Sequence, residues 1–408
     1  MANATVVDRV TARVAASLED LIALRRDLHT HPEVARTETR TTRVIADRLR
    51  AAGLEPRLLP GTGLTCDLGP GPVAAGRLRI AVRADLDALP VPDSCGAPWQ
   101  STSPGLAHAC GHDVHAAVVL GAGLALADLA DAGLLGSGIR LIFQAAEEIQ
   151  PGGAVDAIEA GAMEGVAQVF ALHCDPRLDV GTIGTRPGPI TAASDPVTIT
   201  LTGPGGHTSR PHLTGDVVFA LGKVITQVPS VLGRRMDPRS GVNLTWGHVH
   251  AGAAHNAIPS TGTVRGTLRC LDPRAWEDAG TVLREAVHHV VAPYRVDVEV
   301  QHSRGVPPVE NDPAANRVLE AASRAVLDAE AVVPVDQSLG GEDFAWLLTR
   351  APGAMGRLGT RTPGGPTADL HQGDFTVDER AIGIGAQVLA MTAFLAGGSR
   401  PQGNVPVP

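Results

Sequence analysis

A chain of 408 residues has room for two domains, or for one large domain carrying an insertion. With 44% hydrophobic and 19% charged residues it has the balance of a globular protein, and 3% aromatics leave the core to Ala, Val, Leu and Ile. A net charge of −9, with no basic stripe to offset it, argues against nucleic acid or an anionic membrane surface as the main partner.

In chain order, residues 1–19 carry Asp8, Arg9, Arg13 and Glu19 and hold no uninterrupted apolar run, and nothing later reads as long and apolar enough to span a bilayer. Five scattered cysteines (66, 95, 110, 174 and 270) fit free thiols in a reducing compartment, so a cytoplasmic protein is expected. The pattern predicts a helix over 5–28, the polar run HTHPEVARTETRTT, and a second helix to Ala52 closed by Gly53. The apolar runs RLRIAVRA (77–84), IRLIFQAA (139–146) and QVFALH (168–173) read as buried strands. Between the first two lies a helix from Asp113, its expected N-cap, to Ala132. Strands alternating with helices predict an α/β sheet covered on both faces.

From about residue 196 the order becomes strand, helix, strand, strand, helix, strand, ending near 302. That βαββαβ order describes a ferredoxin-like α+β unit inserted into the larger domain. The α/β pattern resumes with the helix ANRVLEAASRAVLDA and a last helix near 378–396, and the final ten residues read as a loose tail. The expected organisation is a discontinuous domain of 1–187 and 304–408 around an inserted domain of 188–303.

In an open α/β sheet, ligands bind beyond the carboxyl ends of the strands. RLRIAVRA runs into Asp85 and Asp87, IRLIFQAA into Glu147 and Glu148, and QVFALH ends at His173. HACGHDVHAA lies just before a helix, and with only Gly111 between them the side chains of Cys110 and His112 are expected to point the same way from extended backbone. Carboxylate, imidazole and thiolate groups on one rim suit Zn²⁺ or another borderline divalent ion, and suit Ca²⁺ poorly. An adjacent Glu pair straight after an apolar strand points the same way, since like charges there need a cation to offset them. The chain has no G-x-S-x-G elbow, Walker A loop, G-x-G-x-x-G, H-E-x-x-H or P-C-x-x-C, which removes the reaction classes those motifs serve.

The stretches LRRDLHTHPEVARTETRTT, AVRADLDALPV, HACGHDVHAA, QAAEE with PGGA, GPGGHTSRPH, AHNAIPSTGTVRGTLRCLD, GGEDFAWLL and DLHQGDF run in order from about residue 24 to 376. As a set they resemble the M20 family of metallo-amidohydrolases and peptidases, in the branch of aminoacylase and hippurate-hydrolase type enzymes. The resemblance implies a zinc-peptidase-like catalytic domain, its central sheet flanked by helices, with an inserted ferredoxin-like domain serving as lid and dimerisation surface. It implies two divalent ions per subunit (Mn or Zn, with Co or Ni as alternatives) on Cys110, His112, Glu148, His173 and His371, and Glu147 as general base. By the same resemblance His207 stabilises the oxyanion in the partner subunit's site, and Asn256 and Arg269 hold the substrate carboxylate. Asp85 matches an acidic residue near the site, although related peptidases carry a histidine where this chain has Arg83. QAAEE in place of QPAEE, and LAHAC in place of a form with Met before the His, bear on acyl-group preference. The implied reaction is hydrolysis of an N-acyl amino acid, N-acetyl or N-benzoyl, by a homodimer. A dipeptidase or desuccinylase of the same metal core, and a non-catalytic binding protein, are the rivals.

Overall fold

The computed structural model describes residues 2–71 and 78–398. The chain enters through α1 (Ala2–Thr30) and α2 (Thr39–Ala51), then the strands β1 (Pro56–Leu58), β2 (Leu64–Leu68) and β3 (Arg79–Asp85). It continues with α3 (His112–Asp131), β4 (Ile139–Gln144), α4 (Gly153–Glu159), the 14-residue β5 (Val166–Asp179) and β6 (Ile183–Thr185). A second set follows: β7 (Ala193–Thr202), α5 (Val217–Arg235), β8 (Asn243–Ala251), β9 (Thr261–Cys270), α6 (Pro273–Val291) and β10 (Asp297–His302). The first architecture resumes with α7 (Pro313–Val326), β11 (Val332–Pro334), β12 (Gly353–Arg361) and α8 (Arg380–Gly397).

Two compact units result. The larger holds the chain up to Gly188, Glu310–Asp336 and the stretch from Trp346 on; the smaller holds Pro189–Val309 and Gln337–Ala345. The segment 337–345, assigned by sequence pattern to the larger domain, clusters with the smaller unit through hydrogen bonds to backbone carbonyls. Gln337 Nε2 donates to the carbonyls of Thr191 and Leu271, and Ser338 N donates to Ile190 O. Such contacts leave no hydrophobic periodicity in the sequence. The expected strand over 77–84 begins at Arg79, and Arg77 lies outside the described residues, as do 399–408, where a loose tail was expected.

The larger unit is built on an eight-stranded mixed sheet in the order β1-β2-β4-β3-β5-β12-β6-β11, with β4, β3, β5 and β12 running parallel at its centre. Their residues are almost all buried, as expected of parallel strands covered by helices on both faces. One such layer is α1, α3 and α8, which pack on one another. A Cβ on Gly121 of α3 would lie 2.7 Å from Leu21 Cδ1 and 3.0 Å from Ala386 Cβ, so the missing side chain is what lets the three helices close up.

Contrary to the sequence expectation, α3, α5 and α8 are each long and apolar enough to cross a membrane. In α3 and α8 that hydropathy belongs to a helix buried on nearly all sides in a protein core. In α5 the buried positions Val217, Ala220, Leu221, Val224, Val228 and Leu232 form one stripe against the smaller unit's core. That unit is a four-stranded antiparallel sheet in the order β8-β9-β7-β10. Numbered within the unit the order is 2-3-1-4, the ferredoxin-like arrangement of βαββαβ.

The parallel pair β5–β12 joins the two halves of the large sheet, and Gly353 sits opposite Val169 in it. A Cβ on Gly353 would stand 1.9 Å from the Val169 carbonyl oxygen. Gly353→Ala is therefore expected to destabilise the protein by about 1–3 kcal/mol, the usual range for overpacking. A lowered urea midpoint at unchanged slope is the readout.

Candidate metal centre

At the carboxyl ends of the parallel strands, loops and strand ends bring the predicted donors together within the larger unit. Cys110 and His112 come from the entry to α3, Glu147 and Glu148 from the segment after β4, His173 from β5, and His371 from the segment after β12. The donor atoms of Cys110, His112 and His173 lie within 4.8 Å of one another, and so do those of Cys110, Glu148 and His371. The two groups share the Cys110 thiol. Cys110 Sγ is 3.6 Å from His173 Nε2, and His371 Nε2 is 3.4 Å from Glu148 Oε1.

Carboxylates surround His112. Its Nε2 is 3.7 Å from Asp85 Oδ2, 3.8 Å from Glu148 Oε1 and 4.0 Å from Glu147 Oε2, and its Nδ1 is 3.4 Å from Asp87 Oδ1. Burial alone would lower its pKa, but Asp85, Asp87 and Glu148 outweigh that and push it up to about 10. Burial raises the Cys110 thiol well above its ordinary value, reinforced by Glu148, Glu147 and Asp85. Burial pushes His173 well down, with His115 and Arg357 adding to the effect. Neither ring nitrogen of His112 nor Oε1 of Glu148, all buried, makes a hydrogen bond of standard geometry. A buried cluster of thiol, imidazoles and carboxylates, in which His112 and Glu148 Oε1 lack hydrogen bonds of standard geometry, fits divalent cations between them.

The imidazole tautomers can be read from fixed neighbours. His173 Nδ1 donates to Cys174 O at 2.8 Å, leaving the Nε2 lone pair facing Cys110. His115 Nε2 accepts the Cys174 N–H at 2.9 Å, so its proton is on Nδ1 and goes to Asp85 Oδ1 at 2.5 Å. Asp85 thus joins His115 to Arg83, whose Nη1 is 2.7 Å from Asp85 Oδ2. The buried Arg83 also reaches Gln144, which makes it a structural counter-ion to Asp85.

Three local expectations change. The connection at Gly111 is not extended: Gly111 has φ +84° and ψ +18°, and His112 is the first residue of the helix. Asp113 is then inside the first turn, not the N-cap. Its buried carboxylate meets Arg25 Nε and His29 Nδ1, each at 2.8 Å, and although burial opposes it, the Arg25 charge and the His29 hydrogen bond hold its pKa well below the carboxylate range. His173 does not end its strand, because β5 runs on to Asp179 along β12, with His173 opposite Arg357.

Asp87, expected from the sequence only as a strand-end carboxylate, and Glu38, which carried no expectation, also contribute. Asp87 accepts the backbone N–H of Glu147 at 3.0 Å and of Glu148 at 2.9 Å, clamping both glutamates to the end of β3. The buried Glu38 accepts the N–H of Ala146, which is held at φ +58° just before that pair. His108 lies apart from the donor groups, buried, with its pKa pushed down to about 4 by desolvation. The spacing D-x-D after β3 was the available signal for Asp87; Glu38, more than a hundred residues from its partner, had none.

His207, Asn256 and Arg269 belong to the smaller unit. Segments 206–207 and 257–258 form a short antiparallel ladder, so exposed His207 and Asn256 share one ribbon, with Thr208 N donating to Asn256 O at 3.3 Å. His207 Nδ1 accepts the Ser209 N–H at 3.1 Å, which puts its proton on Nε2. Arg269, on β9, donates through Nη1 to Leu339 O at 2.7 Å.

Residues 81–394 match the model of peptidase family M20/M25/M40. The chain belongs to this family. The M20 chain is 48% identical over 370 residues to a Rhodococcus jostii (strain RHA1) protein named for a glutamate–cysteine ligase, 90% of this chain but only 46% of that protein, so it spans less than half the length of that relative. It is 35% identical over 381 residues to an N-acetylcysteine deacetylase of Bacillus subtilis (strain 168), covering 92% of this chain and 96% of the relative. Among solved structures, the YXEP protein of Bacillus subtilis, described as a dinuclear metal-binding peptidase of the M20 family, aligns with a TM-score of 0.80 at 31% identity. That alignment covers 94% of this chain and 99% of the other.

At Gly111 two constraints coincide. The left-handed φ excludes a side chain at a cost of about 1–2 kcal/mol, and a Cβ there would stand 2.8 Å from Cys174 Sγ. Gly111→Ala is expected to lower the thermal midpoint and, by displacing Cys110 and His112 together, to reduce bound metal measured by elemental mass spectrometry.

Proposed function

We propose that this protein is a metal-dependent amidohydrolase that cleaves N-acyl amino acids to a carboxylate and a free amino acid. The observation that carries the reading is the pair of donor groups sharing Cys110, with Glu147 beside them. The residues present fit two divalent ions, one on Cys110, His112 and His173 and the other on Cys110, Glu148 and His371. Manganese or zinc is the favoured metal, since thiolate and imidazole suit borderline ions. When bound, such ions supply an acidified water nucleophile and polarise the scissile carbonyl. The acetylated substrate named for the Bacillus relative supports the acyl class.

In this reading Glu147 takes the proton of the attacking water and delivers it to the leaving nitrogen. Asp87 holds Glu147 and Glu148 at a set spacing through their amides, so one carboxylate serves as ligand while its neighbour handles the proton. Asp85 fixes the His115 tautomer and through it the Cys174 amide next to His173. His207 of the partner subunit donates its Nε2–H to the developing oxyanion, and Asn256 and Arg269 take the substrate carboxylate. The inserted unit is the lid and the dimer surface. Support for that surface comes from the edge strand β8 and the helix α5, where Val249, Val218 and Phe219 are 57%, 49% and 53% exposed. Five free cysteines support a reducing, cytoplasmic setting.

The test is release of amino acid from N-acetyl and N-benzoyl amino acids by metal-stripped protein before and after adding Mn²⁺ or Zn²⁺. Release restored by metal is expected, and Glu147→Gln should keep its metal while losing roughly 10²–10⁴-fold in turnover. Undiminished turnover in Glu147→Gln removes it from the base role, and no release from metal-loaded protein refutes the acyl class. For His207, mixing inactive His207→Ala with inactive Glu147→Gln under subunit exchange is expected to restore part of the activity. Absence of rescue despite exchange rejects action across subunits.

A further inference from the structure

A second group of metal donors lies where α1 ends, joined to the 108–113 segment through the His29–Asp113 hydrogen bond. His29, in the last turn of α1, has Nε2 3.3 Å from Asp93 Oδ2 and 3.9 Å from Cys95 Sγ, and the donor atoms of the three residues lie within 4.8 Å of one another. None of the three belongs to the centre described above. We propose that His29, Asp93 and Cys95 form a separate zinc site that staples the end of α1 to the 93–101 segment.

Each donor is held as a ligand is held. His29 Nδ1 is 2.8 Å from Asp113 Oδ2, closer than the 3.2 Å to Arg25 Nη2, so the carboxylate takes the Nδ1 proton and the Nε2 lone pair faces Asp93 and Cys95. This is the carboxylate–histidine pairing that orients metal-bound imidazoles. Asp93 is fixed at both oxygens: Oδ1 accepts Cys95 N at 2.9 Å and Oδ2 accepts Ser101 N at 2.7 Å. Its side chain is 3% exposed and that of His29 is 2%. Cys95, two residues from Asp93, is half-buried.

The charges match a zinc ion. Coordination replaces the Cys95 S–H bond with an S–Zn bond and releases the proton to solvent. One thiolate and one carboxylate then neutralise Zn²⁺, while Asp113 stays paired with Arg25. Mixed thiolate, imidazole and carboxylate donors select zinc over calcium or magnesium. The site also touches the segment carrying His371, because Ser94 N donates to Gly373 O at 2.7 Å. Filling it holds that segment in place.

The experiment compares wild type with Cys95→Ser, each equilibrated in the same zinc-buffered solution and assayed by elemental mass spectrometry. Wild type is expected to bind one zinc equivalent more than Cys95→Ser, with Asp93→Asn matching the serine variant. In parallel, zinc is expected to protect Cys95 from iodoacetamide in the wild-type protein, read by peptide mass spectrometry. Equal zinc content in wild type and Cys95→Ser, or alkylation of Cys95 at the same rate with and without zinc, overturns the proposal. The result is a difference between variants that share Cys110 and its neighbours, so it stands apart from whether the first centre holds two ions.

Discussion

Four carboxylates lie within 4.0 Å of one buried imidazole, and this concentration of charge at His112 is the constraint the rest of the larger unit serves. Like charges in a low-dielectric interior repel strongly, so each must be held by bonds that do not depend on its neighbours. The protein does this with backbone amides and fixed side chains. Asp87 takes two consecutive N–H groups, and Asp85 takes Arg83 and His115. Both ring nitrogens of His112 and Oε1 of Glu148 are left without hydrogen bonds of standard geometry, as groups that would hold a cation are.

Backbone strain is found at the same place. Of the four non-glycine residues with positive φ among the described residues, Ala146 (+58°) stands beside the donor pair Glu147 and Glu148 and His371 (+63°) is itself a donor; the other two are Arg36 and Arg295. Ala146 and His371 are each held by a hydrogen bond from outside their own segment: Ala146 N to Glu38, and His371 N to Ala109 O. Such conformations persist where the surroundings over-determine them, and they cluster at functional sites. The αL glycine at 111 does the equivalent without side-chain strain. It turns the chain between Cys110 and His112 so that one donor precedes the helix and the next begins it.

The smaller unit presents a different balance of forces. Its sheet carries one apolar face against α5 and α6, while β8 is an edge strand with an exposed valine. His207 and Asn256 sit on an exposed ribbon whose ladder sets their spacing, and the ring proton of His207 is placed by the Ser209 amide.

The sequence by itself determined the order of strands and helices, the ferredoxin-like insertion and the residue types of the metal centre. Periodicity, chain order and the placement of polar residues after apolar strands are local properties. Cys110, His112, Glu147 and Glu148 were legible because each lies at or near a strand end or helix start, and His173 because it closes the apolar run QVFALH, although its strand continues to Asp179; His371 was reached only through resemblance, since nothing local marks it. Tertiary structure decided the rest. The left-handed turn at Gly111 follows from Cys174 packed behind it, the inward position of Asp113 from Arg25 and His29 on α1, and the clamp at Ala146 from Glu38 on the approach to α2. In each case the partner lies tens of residues away or more, and only the closed fold brings the two within hydrogen-bonding or van der Waals range.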